Sequence, residues 1–325
     1  MRPRGCSFPS DQSGVVSQPK LKSVQNFTLP PLGLLLIGLI SIFWGFNWPI
    51  VKFTLTVVPL WTFRSICVVS GAIGLFAIAR FSGLRMQVPT GQWPRLLAIS
   101  AFNITGWNVF AVYGITYLPA GRASIIGYTM PLWGIPLSCW LLGERITARR
   151  VMGLVLGMVG MLILIGRELE VLQRVPVGGL LMMGAAVSWA IGTVLMKRFP
   201  VDLPTSSLTG WMMLLGGIPI VLGALILEPG QIKPLTLWPT LGLLYNMLIS
   251  FTFCYWAWFR IVEMVPVGVS SLSSLMVPVV GVFSGMLILG ERPHWEDFTA
   301  LALVLGALAT VLIPSGKQTE GKRTS

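Results

Sequence analysis

The sequence predicts an all-α polytopic membrane protein, with ten transmembrane helices laid out as two inverted five-helix repeats. Three observations lead there. Hydrophobic residues make up 54% of the 325 and charged ones only 10%, where a soluble chain has roughly a quarter of its residues charged. A segment near the middle of the chain recurs 147 residues further on. The charges of the loops between apolar runs alternate in bias.

Residues 1–30 are polar, with Arg2, Arg4, Lys20 and Lys22 among serines and glutamines. They lack a short apolar core followed by a small-residue cleavage site, so they read as a disordered cytoplasmic tail and not a signal peptide. Apolar runs follow at 32–51, 57–79, 96–115, 120–142 and 151–165, then at 177–196, 206–227, 238–259, 267–289 and 298–313. Most approach the length of about 20 residues that a bilayer-spanning helix needs. Lipid offers no partner to backbone polar groups, so each must be a helix or a strand of a closed barrel. Barrel strands alternate polar and apolar residues, and these runs do not. The expected units are therefore 31–166 and 177–314, joined by a periplasmic linker at 167–176 and closed by a cytoplasmic tail at 315–325.

Pro119, Gly121, Ser124, Pro131, Gly134, Leu142, Gly143, Glu144 and Arg145 match Pro266, Gly268, Ser271, Pro278, Gly281, Leu289, Gly290, Glu291 and Arg292 without a gap. A shift of 145 pairs Trp44 and Lys52 with Trp189 and Lys197. Five crossings bring the second unit in from the opposite side, so the halves are inverted if every run spans. With the N-terminus inside, the inside segments hold 16 Lys and Arg against 6 outside, Arg64 lying within a run. That is the positive-inside bias, and it puts both termini in the cytoplasm. The matched loops sharpen the test: 144–150 reads ERITARR, and its counterpart 291–297 reads ERPHWED.

Polar and aromatic residues inside the runs mark the candidate substrate cavity. The first run holds Trp44, Asn47 and Trp48, and just past its outer end stands Lys52, a candidate outer gate or attractor of anions. Arg64 lies about seven residues into the second, and an ionisable group at that depth favours a cavity or a partner. The third run contributes Asn103, Trp107 and Asn108, and the fourth Tyr128 with Pro131, a candidate hinge. Gly153, Gly157 and Gly160 in the fifth suit close packing, within the bundle or at a homodimer contact. The sixth run offers Ser188, Trp189 and Thr193, the eighth Tyr245, Asn246 and Tyr255, and the ninth Ser271, Ser274 and the second candidate hinge, Pro278. An amide or hydroxyl in lipid needs a partner, so for any one of these a bond between helices competes with a cavity role. Trp61, Trp93, Trp238 and Trp295, near run ends, suit an interfacial belt.

No Asp or Glu falls mid-run, and the lone His294 sits in a loop. That argues against a nucleophile with its base, and against a metal with His and carboxylate ligands. GxSxG, HExxH, P-loop and GxGxxG signatures are absent, and the cysteines Cys6, Cys67, Cys139 and Cys254 have no metal spacing. No enzyme, cofactor or metal is expected. The net charge of +12 resides in short loops and tails, as topology signals would, and not as a nucleic-acid surface.

Trp44, Gly45, Asn47 and Lys52 in WGFNWPIVK, Arg64 soon after Pro59, the two stretches from Pro to GER ending at Arg145 and Arg292, and Ser188, Trp189 and Ala190 resemble the EamA-type ten-helix exporters of the drug/metabolite transporter superfamily. The resemblance spans 31–314. It implies a basket of helices one to four and six to nine around a central cavity, with helices five and ten flanking it. It also implies export of amino acids or related metabolites across the bacterial inner membrane. One departure is Thr209, which stands where the repeat would place Arg64. The expected activity is alternating access of a small-molecule substrate between lipid-embedded halves. Against it stands a structural or regulatory membrane protein that moves nothing, with an intramembrane enzyme further behind.

Overall fold

The computed structural model describes residues 31–143, 148–172, 176–231, 234–264 and 276–312, and these are almost entirely helical, with no strand among them. Helix α1 is Pro31–Thr54 and α2 is Leu60–Phe81. Helix α3 runs through Trp93–Ser100, Ala101–Gly106 and Trp107–Tyr117 without a break, the middle piece wound as a π-helix. The fourth apolar run is two helices, α4 (Ala120–Gly127) and α5 (Met130–Leu142), followed by α6 (Ala148–Leu172). Then come α7 (Val177–Arg198), α8 (Thr205–Leu227) and α9, which joins Leu237–Leu244, a π-helical Tyr245–Phe253 and Cys254–Met264. Helices α10 (Met276–Leu289) and α11 (Trp295–Leu312) complete the described chain.

Among the described residues, seven segments are long and apolar enough to cross a membrane: α1, α2, α3, the α4–α5 pair, α7, α8 and Leu237–Trp258 of α9. Their outward faces carry exposed Ile73, Trp140, Leu225 and Ile226, side chains suited to lipid tails and costly in water.

Local signals set the helix ends. Helices α2, α4 and α8 each start directly after a proline, Pro59, Pro119 and Pro204, all with φ near −55° and ψ near 145°. Proline fixes that φ, and its missing N–H is harmless where a helix has no acceptor yet. Helix α5 ends at Gly143 with φ 67°, and Gly290, after α10, has φ 64°. A left-handed cap costs glycine nothing and any other residue about 1 kcal/mol or more. Matched features recur at the sequence shift: Pro59 and Pro204 lie 145 residues apart, Gly143 and Gly290 lie 147 apart, and the π-segments end 147 apart at Gly106 and Phe253.

Packing partners exchange in the same way. Helix α1 lies on α9 and α10, while α7 lies on α3 and on the α4–α5 pair. Helix α2 packs on α9, and α8 packs on α3. Helices α2 and α8, α4 and α10, and α6 and α11 pair directly. Close approach relies on glycine. A Cβ on Gly106 would sit 2.1 Å from Ser188 Oγ, and one on Gly192 would sit 2.2 Å from Asn103 Oδ1, which locks α3 against α7. Gly157 faces Leu132 of α5 and Gly160 faces α11, so the small-residue face of α6 is used within the chain.

Candidate functional site

The fourth run is broken where it is buried, with Tyr128 7% and Thr129 0% exposed. Tyr128 and Thr129 interrupt the helix, and Pro131 falls in the first turn of α5, where its missing N–H costs no ladder bond. Proline therefore begins a helix here, so the hinge expected at Pro131 is not a kink within a helix. Pro278 is buried near the start of α10. Ser271 and Ser274 lie outside the described residues.

Tyr255 of α9 is the hub of an aromatic box. Its ring meets Trp44 of α1 edge-on at 5.7 Å, Trp189 of α7 at 6.4 Å and Phe251 in a stack at 5.6 Å. Trp107 of α3 extends the wall by an edge contact of 5.3 Å with Trp189, and Trp258 closes its other end 5.9 Å from Trp44. Trp44 is oriented by donating from Nε1 to the Ser250 carbonyl at 3.3 Å. A π-helical turn widens the backbone, and both α3 and α9 take one beside this box. Trp48 and Tyr128 form a further edge pair at 6.4 Å, with Trp48 against Gly127 and Gly281.

Arg64 enters the box from α2. Its residue is 8% exposed, and its guanidinium carbon lies 5.3 Å from the ring of Phe63 and 5.7 Å from that of Phe251. Tyr255 and Cys67 are its electrostatic neighbours. Nε is buried without a hydrogen-bond partner, and no carboxylate among the described residues pairs with the group. The amide oxygens of Asn47, Asn103, Asn108 and Asn246 are likewise buried and unpartnered among the described residues.

Other residues proposed for the cavity are engaged between or along helices. Ser188 donates to the Phe102 carbonyl at 2.7 Å, and Asn103 Nδ2 to the sulfur of Met196 at 3.3 Å. The Tyr245 hydroxyl donates to the Phe43 carbonyl at 2.7 Å, tying α9 to α1. Asn108 and Asn246 donate to carbonyls one turn back, and exposed Thr193 returns its hydroxyl to Trp189. Apart from Asn103, each of these amides and hydroxyls donates to a backbone carbonyl.

Lys52 is held at one end of the bundle. It donates to the Leu118 carbonyl and lies 3.6 Å from Glu291. Glu291 in turn accepts from the backbone N–H groups of Ala120 and Gly121 at the start of α4. At the same end Glu228 accepts from the N–H groups of Trp61 and Thr62 and from the Thr62 hydroxyl, capping α2 at 2.8–3.0 Å. Trp61, read as an interfacial residue, instead donates to the Tyr113 hydroxyl at 2.9 Å and lies against Gly223. Trp238 and Trp295 are exposed.

Sequence reasoning passed over Phe251, Phe63 and Glu228. Phe251 lies one turn before Tyr255, a spacing that puts two side chains on one face, but an aromatic in an apolar run gives no signal by itself.

The family model described as the EamA-like transporter family matches residues 31–166 and again 176–313. An uncharacterized transporter, YoaV of Bacillus subtilis, is 26% identical over 84% of this chain and 92% of its own length. The proteins named "Probable amino-acid metabolite efflux pump" in Salmonella typhimurium and Escherichia coli are 25% and 27% identical, each over 83% of this chain and 91% of their own. A crystal structure whose description names no function shares the fold, with a TM-score of 0.63 at 20% identity over 86% of this chain and 95% of the other.

Proposed function

The chain belongs to the EamA-like transporter family, and from that premise we propose that it is a secondary transporter exporting amino acids or related small metabolites across the bacterial inner membrane by alternating access. The aromatic box with its unpaired arginine carries this reading. It lies where α1, α2, α7 and α9 converge, so both copies of the matched family unit build it. A protein that only supported a membrane would gain nothing from a buried, unpaired cation.

The reading includes ten spans as two inverted halves, 31–166 and 177–314, with both termini cytoplasmic. Matched prolines, cap glycines and π-segments support it, as does the exchange of helix partners. In that orientation Lys52, Glu291 and the start of α4 form the outer closure. Breaking it would free α4 and α5 to move about the break at Tyr128 and Thr129.

Counterflow in proteoliposomes tests the function. Vesicles preloaded with amino acids, sugars or small carboxylates and amines should accumulate the labelled counterpart of one class. Folded protein that exchanges no solute across such a panel would refute it and favour a protein that moves nothing.

A further inference from the structure

We propose that the solute is an organic monoanion, a carboxylate on a flat apolar body, and that Arg64 and the Tyr255 hydroxyl receive the carboxylate. This rests on the transport reading and narrows its substrate to carboxylates without a nearby ammonium.

Arginine stays charged under physiological conditions, and its planar fork of N–H donors matches a carboxylate two bonds at a time. At Arg64 that fork is buried, and among the described residues it makes neither a hydrogen bond nor an ion pair. The carboxylates that could have answered it are committed elsewhere: Glu228 to the start of α2, Glu291 to α4 and Lys52, and Asp297 to Arg122. Two ring faces, Phe63 and Phe251, shelter the guanidinium and offset part of its desolvation, but a ring face cannot accept the in-plane N–H bonds. The Tyr255 hydroxyl, its electrostatic neighbour, also makes no hydrogen bond among the described residues. Arg64 Nε is therefore a buried donor without an acceptor, with the Tyr255 hydroxyl as its electrostatic neighbour, and a carboxylate supplies two acceptors.

Charge count selects within that class. One cation balances one negative charge, so a dianion would stay uncompensated. An α-ammonium would be held close to the carboxylate and hence to the guanidinium, where no anionic side chain among the described residues offsets the repulsion. The walls, Trp44, Trp189 and Phe251, offer flat apolar surface to the body of the solute.

Four compounds sharing one phenyl body separate the alternatives: 3-phenylpropionate, its primary amide, phenylalanine and phenethylamine. Thermal stabilisation of the purified protein reads binding, and counterflow reads transport. The carboxylate should stabilise the protein and exchange at least about tenfold better than the amide or phenylalanine, the least expected of a charge-assisted bond, and phenethylamine should do neither. Arg64→Gln should abolish the preference, and Arg64→Lys should retain the sign of it. Equal response to the amide or to phenylalanine overturns the proposal, as does an anion preference that survives Arg64→Gln. So does absence of stabilisation by 3-phenylpropionate, benzoate and hexanoate alike. Anion binding without exchange would keep this site and refute the transporter, whereas exchange of the amide or the amine alone would keep the transporter and refute this site.

Discussion

Replacing Arg64 by methionine should make the protein more stable while removing its transport. A buried cation without a partner is a standing cost: insertion measurements put arginine at a helix centre at about 2.5–3.5 kcal/mol, an upper bound for Arg64, which lies one turn into α2. The ring contacts at 5.3 Å and 5.7 Å return part of it, about 1–2 kcal/mol for a desolvated cation over aromatic faces. Methionine fills a similar volume, adapts to the gap and keeps contact with both rings. The balance favours Arg64→Met by up to about 1–2 kcal/mol, by the logic that replaces a buried charge with a fitting hydrophobe. Thermal or denaturant unfolding in detergent would measure it against wild type, with counterflow on the same preparations. The expected pair of results is a raised unfolding midpoint and exchange reduced at least about tenfold. A variant less stable by about 1 kcal/mol or more would show that the guanidinium holds helices together, and the functional reading of Arg64 would fail.

Trp44→Ala should lower exchange about tenfold through loss of one wall of the box, and Trp44→Phe should retain most of it, as counterflow would report. Gly106→Ala should destabilise by about 1–3 kcal/mol because the new methyl meets Ser188 Oγ; Ser188→Gly in the same chain should restore the melting temperature. Glu291→Gln should cost about 1 kcal/mol by weakening the cap on α4. It should also raise the rate at which Lys52 is labelled by an impermeant amine reagent added from outside; unchanged labelling would remove Lys52 and Glu291 from the closure.

Much of this architecture is legible in the sequence because it depends on residues with singular backbone properties. Pro59 and Pro204 announce helix starts, and the glycines of the two GER stretches announce helix ends. The break at Tyr128 and Thr129 is not legible, since 120–142 is apolar on both sides of it. Pro131 points to the neighbourhood, but it marks the helix after the gap and not the gap itself. The π-segments leave no mark either, because tertiary packing and not composition decides where a helix takes an extra residue. At the site, Arg64, Trp44, Trp107, Trp189 and Tyr255 stand out by type, and the structure brings them together. Asn103, Ser188 and Tyr245 stand out equally and serve as ties between helices. Residue type reveals that a polar group needs a partner, while geometry alone says whether the partner is backbone or solute.

The two glutamates that close α2 and α4 have a consequence for anyone who divides the gene. Both acids, Glu228 and Glu291, lie beyond residue 176, and both helix starts they satisfy lie before residue 166. A fragment made of the first family unit alone would present two helix beginnings with bare N–H groups. The second unit alone would carry two carboxylates with nothing to receive them. Neither fragment is a complete object, despite each matching the same family model, and only their joint synthesis should recover a folded assembly.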